Sequence, residues 1–355
     1  GILRKFQSLW DNYLSKKNVM LILCGSHLSM MRNITSDYNS PLFQRNTAEI
    51  RIMPLPFEVT AEGKDHRRAV EEYAITGGVP FYMQLLDPDK TPVENIADLA
   101  ILMGAPLINE PEHLLGSEFK NTGAYLRYLR TVADGNRKMG DICSATSTKA
   151  SDAAPYLDKL QRVGMLRRDV PITADDPEHS RKGLYTVSDE FMAMWSRFIQ
   201  PFRTSIDSGN CLPAIRYLNE HYIDRHVAFV FEDICRQILR STLEKLNVAA
   251  VYGTYWDNGI EIDIAALDPF SKTLYMGECK FWEAPVDSKV LTSLMSKTAG
   301  VEEFRKYTVR HCVFSVSGYT DAAIELAKEE DFILFDNGKL VDGVLPEVLY
   351  IDRLS

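Results

Sequence analysis

Two apolar runs with a polar turn between them constrain this chain more than any other stretch. Ile260-Glu-Ile-Asp-Ile-Ala-Ala-Leu267 is followed by Asp268-Pro-Phe-Ser-Lys272 and then by Leu274-Tyr-Met-Gly-Glu-Cys-Lys-Phe-Trp282, a pattern that predicts a β-hairpin. Strand side chains alternate faces, so Glu278 and Lys280 point the same way, while Met276 and Phe281 mark the strand as half buried. With Asp268–Lys272 as the loop, Leu267 pairs with Thr273, and counting back sets Asp263 opposite Gly277, within one position of Glu278. Two carboxylates and an ammonium then converge.

Those residue types make the layout of a metal-dependent nuclease site. The Asp263 and Glu278 carboxylates, with the backbone carbonyl of Cys279, suit a hard cation such as Mg²⁺ or Mn²⁺, which polarises a phosphate and acidifies a bound water. Lys280 beside the ion would orient or deprotonate the attacking water and stabilise developing negative charge, and a nearby cation favours its neutral form. A Glu-x-Lys pair alone is common on solvated strands, so the flanking elements decide. Upstream, Val227–Leu239 has apolar residues at helical spacing and brings Glu232 just before the hairpin as a further acidic group. A strand is expected near Val248–Tyr255. Downstream come a helix over Val290–Lys306, a strand His311–Val316, a helix Thr320–Glu330 and a strand Phe332–Phe335. This order resembles the PD-(D/E)XK nuclease superfamily.

With 355 residues, 45% apolar and 25% charged, the chain is an ordinary globular protein with room for several cores. Its cysteines (24, 143, 211, 235, 279 and 312) form no Cys-x-x-Cys pair and several sit in apolar runs, which points to a reducing cytoplasm and no zinc site. The longest apolar run, Val19–Cys24, is far too short to span a bilayer, and no signal peptide is expected ahead of it.

Charge is uneven: −3 for residues 1–117, +2 for 118–200, 0 for 201–227 and −8 for 228–355. A domain that grips DNA by neutralising phosphates should be basic, so the acidic C-terminal part would bind weakly without metal or help from elsewhere in the chain. Residues 118–200 are the candidate helper. Ala124–Ala133 reads as a helix ended by Asp134-Gly135, Met139–Ser144 as a short second one, and Ser147–Val163 as a third, capped by Ser or Thr and stopped at Gly164. Met165–Val170, a polar turn over Thr173–Arg181 and the strand Leu184–Val187 follow. Three helices and a hairpin make a winged helix-turn-helix, which would show Lys149, Lys159 and Arg162 on its third helix and Arg181 and Lys182 on its wing to DNA. The plain alternative is solvated charge on a packing domain.

The first hundred residues contain Asn18-Val-Met-Leu-Ile-Leu-Cys-Gly-Ser-His27, read as a buried parallel-type strand ending where α/β folds place ligands. Pro41–Phe57 and Ile75-Thr-Gly-Gly-Val-Pro-Phe-Tyr-Met-Gln-Leu-Leu-Asp-Pro88 follow. Together they resemble the first sensor strand, connecting segment and helical lid of an archaeal and bacterial family of AAA+-like ATPases, whose members continue into a winged helix and end in a nuclease-like domain of unassigned function. The resemblance runs nearly the whole chain in the same order. It implies an α/β multidomain protein: a partial AAA+ core with helical lid over 1–117, a winged helix-turn-helix over 118–200, a linker helix over 201–227 and a PD-(D/E)XK-type domain over 228–355. Ser26 matches the sensor position, and Arg45 sits where a nucleotide-facing arginine would lie.

The sequence departs from that family in one respect. No Gly-x-x-x-x-Gly-Lys-Ser/Thr occurs, and Asp189-Glu190 starts a helix instead of ending a Walker B strand. The chain thus looks like a fragment lacking the P-loop half, with ATP binding expected only in the intact parent. Two functions fit these residues: a Mg²⁺-dependent DNA phosphodiesterase regulated by ATP in that parent, or a non-catalytic nucleic-acid or protein docking module. Expected partners are weakly bound DNA and the missing N-terminal half, without a membrane, oligomerisation being open.

Overall fold

Capping residues set two helix starts in the first third of the chain. Asp65 accepts the Arg68 N–H and opens the helix His66–Thr76, which Gly77 closes in the left-handed conformation at φ 56°. Thr91-Pro-Val-Glu94 forms a reciprocal capping box at the head of the helix Pro92–Ala100, with proline in the first turn where no N–H is needed. The computed structural model describes residues 2–25, 30, 31, 33, 34 and 37–341. None of their helices is long and apolar enough to cross a membrane.

Residues 18–25 do not form the expected buried strand. They carry no regular structure, and Met20 and Ile22 are 85% and 75% exposed. A parallel strand needs hydrogen-bonded neighbours and cover on both faces, and among the described residues none pairs with this segment. Ser26 lies outside the described residues.

Helices Thr122–Ala133, Met139–Thr146 and Ala150–Arg162 precede two short strands, β1 (Leu166–Asp169) and β2 (Leu184–Val187), antiparallel with Leu166 across from Val187. The third helix starts later than Ser147 because Ser147, at φ 51°, closes the helix before it, so Lys149 flanks the new helix and no side chain caps it. Helix Glu190–Phe198 buries Phe191, Met192, Met194, Trp195 and Phe198. Its Trp195 Nε1–H donates to the Ile108 carbonyl at 3.0 Å, which ties this helix to the turn ahead of helix Glu110–Glu118.

Glu190 opens that helix in a crowded place, where a Cβ on Gly77 would stand 2.6 Å from Glu190 Oε2. Burial first, then Asp189 and Asp233, push Glu190 from its ordinary 4.5 up to about 8. The folded state therefore keeps a proton that the unfolded chain releases, so this contribution to stability is complete below about pH 4.5 and is lost as pH rises through about 8. Glu190→Gln is expected to match the wild type near pH 4 and to exceed it by roughly 4–5 kcal/mol near pH 9. Denaturant unfolding at both pH values checks this, and an equal difference at both would contradict it.

Helix Leu212–Tyr222 runs through a π-turn, Ile223–Val227, directly into helix Ala228–Lys245. Burial, then Arg197, hold the His226 imidazole in that turn down to about 3, so the neutral ring donates Nε2–H to the Ala74 carbonyl at 2.7 Å. The residues between 201 and 227 are thus packed into the protein, with Ala214, Leu218 and Tyr222 buried.

The C-terminal part is a six-stranded mixed sheet in sequence order: β3 (Val251–Asp257), β4 (Ile260–Asp268), β5 (Thr273–Lys280), β6 (Thr308–Ser315), β7 (Ile333–Asp336) and β8 (Lys339–Leu340). β5, β6 and β7 are parallel, and the remaining neighbours are antiparallel. Period-two alternation sorts the strand residues into two layers. Tyr275, Cys312, Phe314, Ile333 and Phe335 join the core shared with helix Ala228–Lys245. Leu274, Met276, Val313 and Leu334 pack with helices Ser288–Ala299 and Asp321–Glu329 on the other face.

The β4–β5 register differs by one residue from the sequence expectation. Asp268 pairs with Thr273 and Leu267 with Leu274, so Ile264, not Asp263, faces Gly277. The turn is tighter because the Asp268 carboxylate accepts the Phe270 N–H at 2.9 Å and the Ser271 hydroxyl at 2.7 Å, folding Pro269–Lys272 under it with Lys272 at φ 54°. Asp263 stands one step nearer to Glu278 as a result.

Candidate active site

The β4–β5 ladder ends at Ile264 and Gly277 although both strands run further. In that opening the Asp263 Oδ2 accepts the backbone N–H of Cys279 at 2.9 Å, so the carboxylate lies against the very turn of strand that carries Glu278 and Lys280. Glu278 is buried, at 5% exposure, which rules out a pair lying free in solvent. Its Oε2 accepts from Lys280 Nζ at 2.8 Å, and its Oε1 from Lys297 Nζ. Glu278 and Lys280 thus share a side, as the alternation of β5 predicts, Asp263 on β4 lies against the same stretch of strand, and a second ammonium joins them.

Burial, reinforced by the charge of Glu278, pushes Asp263 up to about 6. Glu232, on helix Ala228–Lys245, is raised well above the carboxylate range by burial, then by Asp263 and Asp233. For Lys280 burial acts downward, yet the bond to Glu278 and the charge of Asp263 outweigh it and hold the amine above its usual value. Without a divalent ion, Lys280 is a hydrogen-bond donor and not the neutral base that a neighbouring cation would favour. Burial pushes the Cys279 thiol well up, with Cys235 beside it, so both remain unreactive thiols.

Among the described residues, no three His, Cys, Asp or Glu side chains stand together as a ready-made metal cage. The donors fit a hard cation nonetheless. Mg²⁺ uses one or two carboxylates and keeps its waters, and Asp263 and Glu278 supply them beside backbone carbonyls.

Sequence reasoning passed over Lys297. Helix Ser288–Ala299 buries Val290, Leu291, Leu294 and Thr298, and Lys297 lies seven residues after Val290 and three after Leu294. A lysine on the apolar stripe of a helix that covers a sheet was the available signal.

The other predicted residues lie apart. Lys149, Lys159, Arg162 and Arg181 are exposed, with Arg162 paired to Asp158 at 2.9 Å. Lys182 is tied to the C-terminal sheet: its Nζ lies 2.9 Å from Asp257 Oδ2 and its carbonyl accepts the Trp256 indole N–H at 3.1 Å. Arg45 is held by Asp11 in a two-pronged pair of 3.0 and 3.1 Å.

The sheet, its helices and this polar cluster define a mixed α/β protein. Residues 195–292, which include Glu232, Asp263, Glu278 and Lys280, match the family described as Archaea bacterial proteins of unknown function. Over 349 residues the chain is 30% identical to uncharacterized protein MJECL04 of Methanocaldococcus jannaschii, covering 95% of this chain and 75% of that one. The chain belongs to this archaeal and bacterial family. Two solved structures are similar in part. The Walker-type ATPase PABY2304 of Pyrococcus abyssi is 17% identical with a TM-score of 0.40, over 55% of this chain and 57% of that one. Protein VC1899 from Vibrio cholerae is 12% identical with a TM-score of 0.27, over 65% and 50%. The chain thus spans 57% and 50% of those two solved chains.

Proposed function

We propose that the C-terminal sheet is a PD-(D/E)XK-type domain that hydrolyses DNA phosphodiester bonds with Mg²⁺ or Mn²⁺. The observation that carries this reading is the meeting of Asp263, buried Glu278 and Lys280 where β4 and β5 part. A bound divalent ion would polarise the phosphate and lower the pKa of a water. Asp263 and Glu278 would hold it. The Lys280 ammonium, anchored by Glu278, would neutralise charge growing on the phosphate, while burial and the charge of Asp263 push the Glu232 carboxyl up beside it. The experiment is DNA cleavage by wild type and Asp263→Asn.

The three helices with β1 and β2 support a winged helix-turn-helix reading, in which helix Ala150–Arg162 would lie on DNA. Its wing is not free, since the loop after β1 pairs with β3 through Pro171 and Thr254. DNA affinity should accordingly be weak, salt-sensitive and carried by the helix. Replacing Lys149 and Lys159 together with alanine is expected to reduce the slope of log K against log salt by nearly 2. Fluorescence anisotropy from about 50 to 200 mM salt measures it. An unchanged slope would assign this helix to packing.

The net charge of −8 on residues 228–355 favours a second reading, a docking module without catalysis. Such a module needs neither divalent ion nor cleavage.

A further inference from the structure

Lys297 holds two oxygens at once. Its Nζ donates to Glu278 Oε1 and, at 3.2 Å, to the backbone carbonyl of Glu261 on β4. A carboxylate oxygen and a main-chain carbonyl are the donors that a hard divalent ion takes. The other Glu278 oxygen already belongs to Lys280, so both carboxylate oxygens are occupied by ammonium groups.

The two lysines differ in how they are anchored. Lys280 projects from the sheet itself and its side chain is 20% exposed, whereas Lys297 reaches in from the last turn of helix Ser288–Ala299 and is 35% exposed. A long amine at that exposure exchanges protein acceptors for water by rotating its own stem, without moving the helix.

We infer that Lys297 is the resident cation of this site: its ammonium fills the position on Glu278 Oε1 that a divalent ion would take, and binding of the ion requires Lys297 to withdraw. This rests on the metal-dependent reading of the same carboxylates. It gives the site a closed state, in which Glu278 is neutralised by protein alone, and an open state, in which Lys297 is released toward solvent at the mouth of the site. A divalent ion must then outcompete a charge-assisted hydrogen bond, so affinity is set lower than the two carboxylates alone would give.

The test is Mn²⁺ titration by calorimetry of wild type, Lys297→Met, Lys297→Arg and Asp263→Asn, each checked for folding by thermal unfolding. Lys297→Met should bind Mn²⁺ about tenfold more tightly than the wild type, the order of one released charge-assisted hydrogen bond. Lys297→Arg, which restores a cation, should bring affinity back toward the wild-type value, and Asp263→Asn should abolish binding. Equal or weaker binding by Lys297→Met, with Asp263→Asn still abolishing it, would overturn the inference and leave the metal site standing. Binding by neither wild type nor Lys297→Met would remove both.

Discussion

Asp233→Ala is expected to destabilise the protein by about 2–4 kcal/mol, because this one carboxylate neutralises two guanidinium groups. Arg167 Nη2 donates to both Asp233 oxygens, at 3.0 and 2.8 Å, and Arg236 donates to Oδ1. Burial acts to raise Asp233, but the two guanidinium groups outweigh it and hold the carboxyl below its ordinary value. Arg167 also donates to Asp169 at 3.1 Å, and Asp169 accepts the Thr186 hydroxyl at 3.0 Å, so β1 and β2 are tied to helix Ala228–Lys245 through one ionic chain. Removing Asp233 leaves two half-buried guanidinium groups with reduced compensation, and the remaining solvent access keeps the cost near the lower end of the range for fully buried pairs. Chemical denaturation measures it. A loss under about 1 kcal/mol would place this network among ordinary surface ion pairs.

Cleavage is expected to depend most on Asp263 and Lys280. Asp263→Asn should abolish divalent-ion binding and cleavage at little cost in stability, because the folded protein already lifts this carboxyl to about 6 and tolerates a neutral side chain there. Lys280→Ala should keep ion binding and still lose cleavage by about 10²–10⁴-fold, since it withdraws a donor that acts on charge formed during reaction. The double variant should be barely worse than either single one, as groups acting in one step are not additive. Independent, multiplying losses would show that the two do not form a unit.

Much of the C-terminal sheet was legible because β5, β6 and β7 alternate strictly. Tyr275 faces one layer and Leu274 and Met276 the other, and the same alternation brought Glu278 and Lys280 to one side. The register was off by one because Asp268 folds the turn under its own carboxylate, a local bond that residue counting does not weigh. Lys297 went unread although its helical spacing pointed at the sheet, since a single lysine in an amphipathic helix is usually assigned to solvent. At Val19–Leu23 composition suggested a buried strand, but burial depends on neighbours that local sequence does not contain, and the segment is exposed. The Lys182–Asp257 pair is hidden for the same reason: contacts between residues far apart in the chain leave no periodic trace.

Whether Asp263, Glu278 and Lys280 form a nuclease site is decided by incubating wild type and Asp263→Asn with supercoiled, linear and branched DNA in Mg²⁺ and in Mn²⁺. The wild type is expected to cut at least one form, in a reaction that depends on the divalent ion and is absent from folded Asp263→Asn. Intact DNA of all three forms with the wild type, or equal cutting by the variant, would contradict a nuclease site at these residues.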